Sequence, residues 1–270
     1  MLKVFKSFYR FIRDLYKSKA LLITLSKNDF KEQFLGSYLG VFWAVLRPTL
    51  FMLIVWFIFT IGFKHHSEGD TPFVLYLMCG YIPWFFFSDA ISGGMNSVIG
   101  NKFLVKKVNF RVSILPIVKV LSILYLHFIL ICILMVAFFL YGYTPSIYWL
   151  QLPFYTFMMF LLVLGVTWLV ASLRVFTKDI AQIIGVILQL GFWVTPIFWS
   201  IDKVPEKYMF FLKLNPMVFI VDGYRNTFIN HVWFWETYKY TPYFIITTFI
   251  FLILGGVVFR KLRPHFGDVL

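Results

Sequence analysis

VSILPIVKVLSILYLHFILICILMVAFFLY, residues 112–141, holds a single charged residue, Lys119. A helix needs roughly 20 predominantly apolar residues to cross a hydrocarbon core of about 30 Å. The stretch exceeds that length and shows no apolar/polar alternation, so it reads as a bilayer-crossing helix and not as a barrel strand. Five further apolar runs accompany it, at 42–63, 73–98, 151–173, 180–200 and 242–259. The expected fold is therefore an all-α integral membrane protein with six transmembrane helices. Composition agrees: the 270 residues are 60% hydrophobic and only 14% charged, where a soluble domain carries about a quarter charged. Spans and connections use nearly the whole chain and leave no room for a separate soluble catalytic domain.

The net charge of +13 could suggest nucleic acid, but its distribution points to topology. With the N-terminus in the cytoplasm, inside segments hold 18 Lys and Arg and outside segments hold 6, while Lys119 lies within a span. That excess places both termini in the cytoplasm and makes membrane lipid, not nucleic acid, the expected partner. No cleavable signal peptide is visible. Cys79 and Cys132 lie inside apolar runs and suggest neither a disulfide framework nor a metal site.

Leu2, Phe5, Phe8, Ile12 and Leu15 recur at helical spacing, with Lys3, Lys6, Arg10, Arg13 and Lys17 on another face. Such a stripe pair suits an amphipathic helix on an anionic membrane surface. Two units follow: a cytoplasmic interfacial segment, 1–34, and the transmembrane domain, 35–270. Gly36 and Gly40 form a GxxxG, a weak signal for close helix approach. The second run carries Gly80, Pro83, Gly93 and Gly94 and is expected to kink or break. Between runs two and three, 101–111 (NKFLVKKVNFR) is short and basic, as a small helix on the cytoplasmic surface would be. The longest outside segment, about 201–240, contains KYMFFLKL (207–214) and MVFIVDGYRNTFI (217–229). Both are apolar but too short to cross, which fits re-entrant or interfacial helices between spans five and six. Asn215-Pro216 should break them apart.

Catalytic signals are sparse. The P-loop pattern GxxxxGK[ST] is absent, as are HExxH, GxSxG and CxxC. His65 and His66 are adjacent in a polar loop, too few for a metal centre. No catalytic residue, metal or cofactor is expected in the chain. His127, alone in the third span, suits a hydrogen bond to a neighbouring helix. Asp89 and Lys119 lie at similar depths in spans two and three, where an unpaired charge costs roughly 2.5–3.5 kcal/mol at the bilayer centre. They form either an interhelical ion pair or a polar patch beside a conduit. Gln182 and Gln189 share a face of span five, and Ser92 and Asn96 add polarity to span two. These groups could bond neighbouring helices or line a path for hydroxyl-bearing cargo. The 35 Phe, 15 Tyr and 9 Trp could build interfacial belts, for which Trp84, Trp199, Trp233 and Trp235 suit, or stack on sugar rings.

The order of these elements resembles one known family. Residues 27–59 (KNDFKEQFLGSYLGVFWAVLRPTLFMLIVWFIF) look like the entry sequence of polysaccharide ABC-exporter permeases. A pattern LGxxWxxLxP reads here as Leu39, Gly40, Trp43, Leu46 and Pro48. GNKFLVKKVNFRVSILPI (100–117), RVFTKDI (174–180), LNPMVFIVDGYRN (214–226) and FRKLRPHFGDVL (259–270) resemble later segments of the same family, in order. The resemblance implies a permease subunit exporting a lipid-linked polysaccharide, O-antigen first and teichoic acid or capsule as alternatives. It implies a homodimer joined to two copies of an ATP-binding subunit, which carries the ATP and Mg, in the cell inner membrane. The ATPase-coupling surface then maps to Asn101, Lys102, Lys106, Lys107, Asn109 and Arg111. Six spans are too few to enclose a polymer path, and two-fold pairing is the commonest closed assembly. Path candidates are Trp43, Trp56, Asp89, Lys119, Gln182 and Gln189. Outer-gate candidates are Asn215, Pro216, Tyr224 and Arg225. The rival reading, a membrane-embedded glycosyl- or acyltransferase, should cluster His, Asp or Glu near one face; the 12 acids and 5 His are scattered.

Overall fold

The computed structural model describes residues 19–33, 38–40, 42–64, 67–68, 71–106, 110–236 and 241–270. The amphipathic segment 2–17, Gly36, His65, His66, Lys107 and Asn109 lie outside the described residues. The principal helices are α1 (Lys19–Glu32), α2 (Phe42–Phe57), α3 (Phe73–Met95), α4 (Ser97–Gly100), α5 (Lys102–Val105) and α6 (Ile114–Leu140). They continue with α7 (Leu152–Arg174), α8 (Asp179–Val194), α9 (Glu206–Lys213), α10 (Pro216–Arg225), α11 (Thr241–Leu262) and α12 (Phe266–Val269). A two-residue hairpin, Ser67–Glu68 against Thr71–Pro72, joins α2 to α3.

Among the described residues, five helical segments are long and apolar enough to cross a membrane: Phe42–Gly62, Phe73–Met95, Ile114–Leu140, Ile147–Arg174 and Thr241–Val269. The run expected at 180–200 is instead the 16-residue α8. Pro196 gives the reason. The residue before a proline is pushed out of the helical region, and Thr195 stands at ψ 134°. Sixteen residues rise about 24 Å, short of a 30 Å core.

Helix α3 is the hub, largely apolar and buried along most of its length, as a central helix should be. It packs against α6, α7, α10 and α2. Of the kink or break expected in this run, the break does not occur: one helix runs through Pro83. In a packed bundle, neighbouring helices and local adjustment accommodate the lost backbone donor. Helices α7 and α11 form the most extensive pair, crossing where Gly165 faces Gly255. A Cβ on Gly165 would lie 2.5 Å from the Leu252 nitrogen, so only glycine permits this approach.

A second core closes the end of the bundle that holds both chain-end helices. Leu22 of α1, Val98 of α4, Val112, Trp168 and Phe266 of α12 meet there. Trp168 Nε1 donates to the Ser113 carbonyl at 3.2 Å. At the opposite end Gln151 is buried, donating to the Val232 carbonyl (2.9 Å) and accepting from the Phe234 amide (3.0 Å). Around it Trp233 stacks on the exposed Trp235 at 4.6 Å, a pair suited to an interfacial belt. Trp84 does not belong to such a belt: it is buried against Gly191 of α8.

Candidate functional site

A groove of about 480 Å³ opens where α3 meets α8 and α2. Its wall is aromatic, with Phe51, Tyr81, Trp84, Phe192 and Trp193, and its polar groups are Ser88, Asp89, Ser92 and Gln189. Phe51 stacks on Tyr81 at 4.9 Å and meets Phe192 edge-on at 5.7 Å, which ties α2, α3 and α8 into one surface. Helix α8 has no buried residue in the protomer. Ile183, Val186, Ile187, Leu190 and Trp193 are exposed, and so are Gln182 and Gln189 on the same helix. Asp89 forms no hydrogen bond or ion pair among the described residues. An unbonded carboxyl and the Gln189 amide would be costly against lipid. The groove therefore presents hydroxyl-bonding groups on an aromatic wall.

The structure brings Asp89 and Gln189 into this groove and leaves the other path candidates outside it. Trp43 is exposed near the start of α2, Trp56 is half-buried, and Gln182 lies nearer the start of α8. Lys119 does not pair with Asp89. Its alkyl chain crosses Gly93, and its Nζ donates to both Asp29 carboxylate oxygens at 3.2 and 3.1 Å. Gln33 Nε2 joins the same cluster, 3.0 Å from Asp29 Oδ2 and 3.0 Å from Ser122 Oγ. Ser26 Oγ lies 2.9 Å from the Tyr125 hydroxyl. Ser26 and Asp29 of α1 and Gln33 just past its end form one polar stripe; Lys119, Ser122 and Tyr125 form its counterpart on α6. Those stripes, spaced three and four on one side and three and three on the other, were a signal that the hydropathy reading passed over.

The outer-gate candidates are held firmly. Asn215 caps α10, accepting from the Met217 amide at 3.0 Å, and donates to Thr195 Oγ1 at 2.9 Å. That second bond ties α10 to the end of α8. Pro216 occupies the first helical turn, where a missing donor does no harm. Tyr224 is fully buried; its hydroxyl lies 2.8 Å from His127 Nε2 and 3.3 Å from Thr156 Oγ1. His127 is midway along α6, so α10 reaches the middle of that helix. His127 thus bonds a neighbouring helix, as its isolation in an apolar run suggests. Gly223 lets α10 sit directly on the Tyr155 ring. Arg225 is 4% exposed, its guanidinium 3.7 Å over the Tyr76 ring and 2.9 Å from the Ile197 carbonyl. Gly80 of α3 leaves the room for that carbonyl: a Cβ there would lie 2.8 Å from it.

On the other side, α4 and α5 carry the basic element. Asn101 Nδ2 donates to the Ser97 carbonyl at 2.9 Å, while Lys102, Phe103, Lys106 and Arg111 are exposed. Phe103 is 61% exposed beside these cations.

Residues 20–229 match the model of the ABC-2 type transporter family. The chain is 30% identical over 252 residues to the O-antigen export system permease protein RfbA of Klebsiella pneumoniae, covering 93% of this chain and 95% of that one. A protein of the same name from Myxococcus xanthus is 29% identical over 224 residues, 82% of this chain and 85% of that one. The polysialic acid transport protein KpsM of Escherichia coli is 22% identical over 214 residues, 77% and 81% of the two chains. With a multi-pass array of apolar helices, and a match across most of its length, the chain belongs to the ABC-2 type transporter family as a membrane transport subunit.

Proposed function

We propose that this chain is the permease of an ATP-driven exporter that moves a lipid-linked polysaccharide, O-antigen in the first instance, across the cell inner membrane. One observation carries the reading: three relatives named as O-antigen export permeases align over 82–93% of the chain at 29–30% identity. A capsular polymer is the second reading, favoured by the more distant polysialic acid transporter; teichoic acid has no such support. A membrane-embedded transferase does not fit family membership.

The permease works as a homodimer with two copies of a separate ATP-binding subunit. The absence of a P-loop pattern supports an external energy source. Both termini are cytoplasmic, supported by the Lys/Arg imbalance, and 1–34 forms the interfacial segment preceding the transmembrane domain, 35–270. Helix α8 and the turn that follows it serve as the sixth span, and α9 and α10 are re-entrant. The bond between Tyr224 and mid-helix His127 supports that depth. The ATPase docks on the basic element from Asn101 to Arg111, with Lys102, Lys106, Lys107 and Asn109. The polymer passes between two copies along α2 and α8, past Trp43, Trp56, Asp89, Gln182 and Gln189. The open aromatic groove and the partnerless polar groups support this path. Lys119, bonded to Asp29, is better assigned to holding α1 than to the path.

A photoactivatable residue at Gln189 during export should capture glycan, whereas one at Phe251 on α11 should not. Equal capture at both sites, or lipid alone at Gln189, overturns the path. Reporter fusions at Gly142 and Lys203 should read external and those at Lys106 and Lys178 cytoplasmic; one reversal breaks the topology.

A further inference from the structure

A second cavity, of about 500 Å³, lies wholly within the protomer, between α9, α10, the start of α11 and the outer end of α3. Its size falls in the 300–1,000 Å³ range of small-ligand sites. The turn Asn226–Asn230 that edges it is π-helical, a rare conformation frequent at functional sites. It ends at His231, which takes a left-handed φ of 56°. The turn presents Asn226 and Asn230 at the cavity, joined by an amide–amide bond of 2.9 Å. Asp222, with its side chain about one-third exposed, adds a carboxylate. Tyr243, 37% exposed, adds a ring whose hydroxyl is anchored to the Leu214 carbonyl at 3.0 Å.

The charges argue against a simple anion site. The Arg225 guanidinium is already engaged by Asp222 (3.8 Å), the Tyr76 ring and the Ile197 carbonyl. Lys213 also lines the cavity, and the Asp222 carboxylate would repel a phosphate placed between them. Planar amides and a carboxylate donate to and accept from vicinal hydroxyls in pairs, and an aromatic ring covers the apolar C–H face of a sugar. We propose that this cavity is a glycan subsite, separate from the α2–α8 groove, that holds a short neutral segment of the polymer on the outer side. The inference rests on the reading of the chain as a polysaccharide-export permease.

The test uses purified full-length permease in lipid nanodiscs and oligosaccharide released by mild acid from the host's own surface polymer. Saturation-transfer NMR should show contact with sugar C–H protons. Asn226→Ala/Asn230→Ala, losing two amide partners, should weaken binding roughly tenfold or more. Asn230→Trp, which fills the mouth, should do the same by a different route, and both variants should melt like the parent. Equal signal from parent and both variants places the sugar elsewhere and overturns the subsite, as does no signal from the parent. A signal abolished by inorganic phosphate would mean that the cavity takes an anion and also overturns it. Complementation separates this from the export reading. If the parent gene restores surface polymer to a deletion strain while the nanodisc signal is absent, only the subsite fails. If deletion leaves surface polymer unchanged, the exporter reading itself fails.

Discussion

Gly165 and Gly256 should respond in opposite ways to the same substitution. A Cβ on Gly165 would lie 2.5 Å from the Leu252 nitrogen and 2.6 Å from its Cα. Ordinary contact begins near 3.4 Å, so α7 and α11 must part by about 0.8–0.9 Å. The obstacle is backbone, which cannot swing away as a side chain can. A gap of 0.5–1 Å forfeits a quarter to a half of each dispersion contact, here along the most extensive helix pair of the fold. With the usual overpacking cost of 1–3 kcal/mol, Gly165→Ala should destabilise by about 3 kcal/mol. Gly256, one residue from the crossing, has nothing within 4 Å of its would-be Cβ. There Ala should be neutral, or stabilising by up to about 1 kcal/mol through helix propensity. At roughly 2–4 °C per kcal/mol for chains near this size, Gly165→Ala should lower the midpoint by about 6–12 °C in a thiol-reactive or intrinsic-fluorescence melt. A Gly165→Ala midpoint within about 2 °C of the parent, or a larger loss at Gly256→Ala, would refute the close-crossing argument.

Three further outcomes follow from the bonded pairs and the exposed basic element. Asp29→Asn and Lys119→Met should each lower stability, by about 1 kcal/mol given their partial exposure, and the double variant should cost less than the sum in a double-mutant cycle. Tyr224→Phe should cost about 1–3 kcal/mol by stranding His127 Nε2, and adding His127→Leu should recover part of it, because the His127 partner is then no longer left unsatisfied; a purely additive double variant would count against the bond. Charge reversal at Lys106 and Lys107 should weaken co-purification with the ATP-binding subunit or uncouple hydrolysis from export, and normal export by that variant sinks the docking assignment.

The helices were legible because membrane hydropathy is a local property. The run 112–141 yields α6 almost residue for residue, and Asn215-Pro216 separates α9 from α10 where the sequence places the break. The partner of Lys119 was not legible from depth alone. Depth matched it to Asp89, but the helix that reaches it lies 90 residues earlier. Folding α1 onto α6 is a tertiary event, written only in two polar stripes at helical spacing. The length of span five failed for another reason. Composition stays apolar through 200, and only Pro196, which pushes Thr195 out of helical geometry, stops α8 at Val194. Pro83 shows the converse, since a buried helix with neighbours on several sides runs through it. The cavity beside Asn226 had no signal in hydropathy, because it depends on a π-turn.

Seven of the larger polar side chains within the apolar array fall into two classes, a division that bears on the proposed path. Lys119, His127, Tyr224 and Arg225 each have partners inside the protomer, at 2.8–3.2 Å for the bonds that define them. Asp89, Gln182 and Gln189 make no side-chain hydrogen bond or close ion pair among the described residues, Asp89 meeting Lys119 and Arg47 only through longer-range electrostatics, and all three lie on α3 or α8. An unsatisfied polar group facing hydrocarbon costs several kcal/mol, so water, cargo or a second copy is the expected cover for the exposed Gln182 and Gln189 amides. Removing a member of each class should therefore have different consequences. Tyr224→Phe loses stability in the isolated protein. Gln189→Leu removes no internal bond and should leave the melting midpoint within about 2 °C of the parent, at the scale of 2–4 °C per kcal/mol. Its effect should fall on the rate of polymer export in cells with normal permease levels. If Gln189→Leu lowers the midpoint as Tyr224→Phe does and leaves export unchanged, Gln189 belongs to the scaffold and the groove is not the path.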